Sequence, residues 1–185
     1  ALRARLARCR WVLLPSPGAI EVTMDGLVRH GLTWPAGSGL GLIGPGSRDA
    51  LELWASRVPG LAAAPVVEPR GPPHDADALL AHPAFARLDG VEVAVLRRAD
   101  GRQAWLHTLR DRRAVLHALT VYAARDAPPP PEAAAWLAAR AGANAPVGFS
   151  IASADAGARL ASFVRGLPCA GWAFEQAVLT QHPRI

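Results

Sequence analysis

Short apolar runs alternate with helix-patterned segments along the whole chain, and this alternation constrains the fold more than any other feature. Residues 11–14, 40–43, 65–68, 91–96, 115–121, 146–151 and 174–179 are short and predominantly apolar, with isolated polar residues such as Glu92 and His117 among them. Such runs predict strands mostly buried on both faces. Between them, residues 19–30, 47–57, 75–81, 102–113, 132–141 and 154–165 carry helical patterning. Asp75 and Ser47 are predicted N-caps, and Gly31 and Gly142 predicted C-terminal stops. Regular strand-helix repetition with short loops implies parallel sheets covered by helices on both faces, with binding loops gathered at the carboxyl ends of the strands.

A 51% hydrophobic content supplies a core, yet Arg, Pro or Gly interrupts every apolar run well before the ~18 residues that crossing a bilayer requires. A membrane role is therefore not expected. Basic residues outnumber acidic ones by 20 to 15, and every basic residue is arginine. Arginine suits bidentate capture of carboxylates or phosphates, but here the arginines are scattered and form no stripe suited to nucleic acid. Cys9 and Cys169 show neither disulfide-framework nor metal-ligand spacing, which fits a reducing, cytoplasmic compartment. The six histidines form no ligand pair at helical spacing, so no metal is expected. The chain opens on Ala1 and stops at Ile185, and both ends read as cut.

Three loops share one design, in which a predicted strand ends and a small hydroxyl residue leads into a helix. They are Pro15-Ser16-Pro17-Gly18-Ala19, Gly44-Pro45-Gly46-Ser47-Arg48 and Ala152-Ser153-Ala154-Asp155. Each presents backbone N–H groups and a hydroxyl at a strand end, a fair anion seat; any one such loop taken alone reads first as a helix cap, and it is the repetition that favours a seat. Gly39-Leu40-Gly41-Leu42-Ile43-Gly44 fits GxGxxG in letters, but it lies inside the strand, whereas a dinucleotide fingerprint must follow the strand and open the helix. Nicotinamide cofactors are excluded on that ground and P-loop chemistry by the lack of lysine, while acyl transfer has little support without a GxSxG elbow or evident His and Asp partners for the serines. Tyr122, the single tyrosine, stands directly after the predicted strand 115–121. It is either a proton donor or a packing residue.

Taken in order, several segments resemble the uroporphyrinogen-III synthase family. Trp11-Val12-Leu13-Leu14-Pro15-Ser16-Pro17-Gly18-Ala19 is similar to its first strand-loop segment, and Leu42-Ile43-Gly44-Pro45-Gly46-Ser47 to its second. Asp75-Ala76-Asp77-Ala78-Leu79-Leu80 resembles a helix start of the family. Residues 90–109 resemble its RGxxGR block, Leu119-Thr120-Val121-Tyr122 its VY motif, Ile151-Ala152-Ser153 a later serine loop, and Thr180-Gln181-His182-Pro183-Arg184-Ile185 its THPRI ending. Ala76, Arg98 and Ala152 depart from the family pattern.

The resemblance implies an α/β protein with two flavodoxin-like parallel-sheet domains, the second incomplete in this chain. Residues 1–122 would form the continuous domain, 123–131 a linker containing the proline run at 128–131, and 132–185 part of the second domain. It further implies a cofactor-free, cytoplasmic, monomeric enzyme acting on hydroxymethylbilane, an open tetrapyrrole bearing many carboxylates, with no nucleic-acid partner. Ring closure loses water and inverts ring D to give uroporphyrinogen III. By motif match, Tyr122 is the proton donor to the departing hydroxyl, while Ser16, Gly46, Ser47, Arg97 and Ser153 contact substrate. The alternatives are a non-catalytic homologue and a flavodoxin-like module that binds a small ligand.

Overall fold

The protein, seen as a computed structural model, is described over residues 2–180 apart from 100, 102, 124 and 126. The predicted helix start at Arg102, the positions Asp100 and Ala124, and the Gln181–Ile185 end of the last motif lie outside the described residues.

Two compact units divide the chain, Ala1–Arg125 and Asp126–Ile185. The first contains α1 (Leu2–Leu6), β1 (Trp11–Leu14), α2 (Pro17–Arg29), β2 (Gly39–Leu42), α3 (Pro45–Ala55), β3 (Val66–Val67), α4 (Ala76–Leu80), β4 (Glu92–Arg98), α5 (Ala104–Asp111) and β5 (Val115–Tyr122). Its five strands form one parallel sheet in the order β3-β2-β1-β4-β5. Without the two-residue β3, the order β2-β1-β4-β5 is that of a flavodoxin-like sheet. The second unit contains α6 (Ala133–Gly142), β6 (Gly148–Ile151), α7 (Ala154–Arg165), α8 (Ala170–Phe174) and β7 (Ala177–Thr180), with β6 and β7 paired in parallel. The α/β, parallel-sheet class is thus as the sequence predicts. Among the described residues no helix is long and apolar enough to cross a membrane.

Side-chain alternation in the central strands builds a core on each face of the larger sheet. Val12, Leu14, Ala94 and Leu96 meet α2 and α3 through Ile20, Met24, Leu27, Leu51 and Trp54. On the other face Trp11, Leu13, Val93 and Val95 meet α4 and α5 through Leu79, Leu80, Trp105, Leu106 and Leu109. Both faces of β1 are therefore sealed, and Val12, Leu13 and Leu14 have no exposed surface. Gly39 and Gly41 of β2 point at the second face, where Trp11 and Leu13 already fill the space a side chain would need. The GxGxxG lettering is thus a packing pattern of a buried strand.

Helix ends follow local chemistry. Ser16 caps α2 by accepting from the Ala19 N–H, and Pro17 takes the first helical position, where a missing N–H costs nothing. Gly31 adopts φ +59 beyond α2, and Leu32 N–H reaches back to the Leu27 carbonyl, so this stop is of the left-handed type. Asp75 caps α4 through Ala78 N–H. Two expectations need correction. Ser47 does not cap α3: Gly44 does, because Pro45 starts the helix early and leaves Ser47 inside its first turn. Gly142 is still helical, and the turn is made by Asn144 at φ 49, with Ala145 N–H donating to the Arg140 carbonyl.

The expectation that the strands are mostly buried on both faces holds at the sheet centre and fails outside it. β5 is only partly covered, and all four residues of β7 are exposed. The run at 174–179 divides, with Phe174 ending α8 and the strand beginning at Ala177. Gln176 makes the break: its Nε2 donates to the Trp172 carbonyl while its Oε1 accepts from Val147 N–H. A two-stranded sheet with so little cover is marginal by itself. Amide hydrogen exchange is expected to be slowest in β1, β2 and β4 and faster by about 100-fold or more in β6 and β7. Equal protection in the two sheets would contradict this ranking.

Candidate active site

In a parallel sheet all strands end on the same edge, and loops that leave for opposite faces open a crevice between them. Here β1 feeds α2 on one face and β4 feeds α5 on the other. Ser16 follows β1, Gly46 and Ser47 follow β2, Arg97 is the penultimate residue of β4, and Tyr122 ends β5. The structure therefore brings these five to the carboxyl edge of one sheet. Ser153 belongs to the smaller unit, where it caps α7 through Ala156 N–H. Its backbone angles of −156 and 157 match the −155 and 156 of Ser16.

Ser16 and Tyr122 meet directly, 106 residues apart in sequence, with Oγ and Oη 2.9 Å from each other and either hydroxyl able to donate. A register shift in the β4–β5 ladder causes this meeting. Arg97 pairs with Thr120 but Arg98 pairs with Tyr122, so Val121 is the extra residue of a bulge. Bulges re-aim side chains, and here Val121 and Tyr122 both pack on the α2 side. The phenol ring then lies over the start of α2, where a Cβ on Gly18 would come within 3.3 Å of both Cζ and Oη. Glycine at position 18 is what leaves room for the ring. The result is a pair of hydroxyls at the positive end of a 13-residue helix, a place that favours an anionic group.

The second loop abuts the first, since a Cβ on Gly46 would lie 3.7 Å from the Pro17 ring. Gly46 is the second residue of α3, so its N–H has no partner within the helix. Ser47 is 4% exposed and shares the core-facing stripe of α3 with Ala50, Leu51 and Trp54. Arg48 is committed to Glu68, with contacts of 2.8 Å and 3.1 Å that make a two-pronged ion pair. The hydrogen bond that Arg48 donates to Glu68 raises the Arg48 pKa above its ordinary value, more than partial burial lowers it.

Arg97 is 8% exposed, and its Nη2 donates to the carbonyls of Ala99 and Gly101 on the loop that follows β4. Its Nε is buried without a partner among the described residues. The guanidinium thus holds the loop from beneath. Sequence reasoning found Ser16 and Tyr122 singly but missed their contact, and it missed Gly18 altogether. The signal for Gly18 was present as a glycine directly after a proline at a helix start, a position with no local need for glycine.

In the smaller unit a groove of about 640 Å³ runs between the proline segment, α6 and α7, lined by Pro129, Trp136, Leu137, Phe149, Leu160 and Phe163. Arg159 and Ser162 also line it, so its largely apolar wall carries one cation and one hydroxyl.

No protein-family model matches the chain, and no curated protein matches it. Among solved structures it is similar to a mutant uroporphyrinogen III synthase from the extremely thermophilic bacterium Thermus thermophilus. The two share 17% identity at a TM-score of 0.52, over 97% of this chain and 66% of that one. The likeness is one of fold, and this chain spans 66% of that protein's length.

Proposed function

We propose that this chain is part of a uroporphyrinogen-III synthase, which closes hydroxymethylbilane into uroporphyrinogen III with loss of water and inversion of ring D. The observation that carries the reading is the hydroxyl pair of Ser16 and Tyr122 at the start of α2. The Tyr122 phenol protonates the departing hydroxyl, which leaves as water, and the hydrogen lost from the closing ring restores the phenol. Ser16, anchored by Ala19 N–H, keeps the phenol in place. Substrate carboxylates dock at the N-termini of α2 and α3, where the Gly46 N–H is offered, while Ser153 stands at a loop of the same form in its own unit. Ser47 and Arg97 serve from behind, the one anchoring α3 and the other shaping the loop after β4.

Most of the rate advantage in such a closure comes from holding two ends of a flexible chain together, with proton transfer adding to it. In this reading the enzyme needs no cofactor and works as a cytoplasmic monomer. The site is tested by titrating the full-length protein with uroporphyrin, a stable tetrapyrrole polycarboxylate, and following backbone amide resonances. Shifts are expected at Ser16, Gly18, Gly46 and Tyr122. Shifts confined to the amino edge of the sheet, at Cys9 or Glu92, would move the site elsewhere.

Gly18→Ala probes the same geometry from the steric side. The added Cβ stands 3.3 Å from the phenol, so the ring must give by a few tenths of an ångström. Turnover is expected to fall about 10-fold, less than the roughly 100-fold that a full ångström of misplacement costs. Thermal unfolding, followed in parallel, is expected to change little because alanine suits a helix better than glycine.

A further inference from the structure

A second cluster of reactive side chains lies at the amino edge of the larger sheet, away from the strand ends described above. Cys9 precedes β1, Glu92 opens β4 and His117 is the third residue of β5. The adjacency β1-β4-β5 brings together three residues whose sequence spacing carries no ligand signature. Sγ of Cys9, a carboxylate oxygen of Glu92 and a ring nitrogen of His117 all lie within 4.8 Å of one another.

The backbone beneath them is fixed. Cys9 N–H donates to the Leu6 carbonyl, Ser38 Oγ donates to the Cys9 carbonyl at 2.7 Å, and Arg10 N–H donates to the Glu92 carbonyl at 2.9 Å. The carboxylate of Glu92 is divided between two partners. Arg8 takes Oε1 at 2.6 Å, which leaves Oε2 facing His117 Nε2 at 3.0 Å. Arg8 therefore orients the carboxylate from outside, as outer groups do around metal ligands. Cys9 itself is 2% exposed, and its thiol donates weakly to the Arg5 carbonyl at 3.2 Å.

We propose that Cys9, Glu92 and His117 bind one divalent ion of the zinc class. Thiolate, imidazole and carboxylate together are a borderline-soft set that favours zinc over magnesium or calcium. Around a tetrahedral ion with bonds of about 2.0 Å the nitrogen and oxygen ligands sit about 3.3 Å apart. The 3.0 Å between His117 and Glu92 has to open only slightly, while Cys9 Sγ closes in. On binding, the thiol proton leaves to solvent and the bond to the Arg5 carbonyl is given up. Thiolate and carboxylate then balance the two charges of the ion, and water completes the fourth position. Burial is the main cause that raises the Cys9 pKa, with the Glu92 charge acting in the same sense and Arg8 in the opposite one. That cost is offset when the thiolate meets a cation.

The test is titration of the metal-stripped full-length protein with Co²⁺, read by absorption. One equivalent is expected to give thiolate-to-cobalt charge transfer in the near ultraviolet, removed by competing Zn²⁺. His117→Gln is expected to weaken cobalt binding by about 100-fold or more, Cys9→Ser to abolish the charge-transfer band, and Cys169→Ser to leave both unchanged. A wild-type protein without the band, a His117→Gln variant that binds as well as wild type, or loss of the band in Cys169→Ser would each overturn the proposal. Should Cys9→Ser fail to fold, the partly exposed His117 and the Cys169→Ser control still decide it.

Discussion

Replacing Tyr122 by phenylalanine in the full-length protein is expected to lower turnover of hydroxymethylbilane by roughly 10- to 1000-fold, the span expected when a proton donor is lost and water takes its place in part. The substitution removes one atom. The ring keeps its place over Gly18 and against the α2-side core, and the hydroxyl of Ser16 keeps the Ala19 N–H as a partner. Loss of the single hydrogen bond to Ser16 costs about 1 kcal/mol of stability, too little to unfold the domain. Substrate affinity should hardly change, because carboxylates distributed along the tetrapyrrole supply it. A kcat that falls while KM stays level, with unchanged circular dichroism, would match the account. An unchanged kcat would leave Tyr122 as a packing residue.

The largest effect on stability is expected from Gly39→Ala. An added Cβ would lie 2.3 Å from Cζ3 and 2.7 Å from Cε3 of Trp11, a rigid ring that cannot swing aside as an aliphatic tip can. Phe85 holds that ring on another side, edge-on at 5.1 Å between centroids. The strand must therefore shift in the middle of the sheet. Overpacking of this kind costs about 1–3 kcal/mol and sometimes more, a large part of the total stability of an ordinary domain. Denaturant melts should show a lower midpoint, with Gly39→Val worse than Gly39→Ala. Gly46→Ala is the control, since its Cβ meets only an ordinary contact at 3.7 Å. A wild-type melting curve for Gly39→Ala would mean that Trp11 has freedom the packing does not suggest.

Much of the architecture was legible because local pattern and tertiary role agree in it. β1 (Trp11–Leu14) and α7 (Ala154–Arg165) occupy the residues the pattern predicts, and the caps at Ser16, Asp75 and Ser153 follow from short polar side chains before helices. Ser47 misled because two signals competed. Pro45 is a good first helical residue, and a glycine before it can cap, so the helix begins upstream of the serine. Strand cover was not legible at all for β7, since Val178 and Leu179 read as buried aliphatics and yet are more than half exposed. An apolar run records what a strand can bury, not what lies over it.

The candidate site was visible residue by residue and invisible as a unit. Nothing near Tyr122 in sequence announces that the β4–β5 ladder slips by one residue after Arg97, and without that slip the phenol would face away from α2. Cys9, Glu92 and His117 are a parallel case, joined by strand order rather than spacing. Arg97 read from sequence as a substrate contact, but the carbonyls of its own following loop claim it first. Contacts made across a sheet depend on register, and register belongs to the folded pair of strands.

The measurement that bears most directly on the proposed function is the isomer composition of the product. Hydroxymethylbilane left alone closes without inverting ring D and gives the type I isomer, so only a surface that holds both ends and directs the closing carbon can give type III. Full-length protein incubated with hydroxymethylbilane, with the products oxidised to porphyrins and separated by chromatography, is expected to yield predominantly the type III isomer. Type I product alone, formed at the rate seen without protein, would contradict the account.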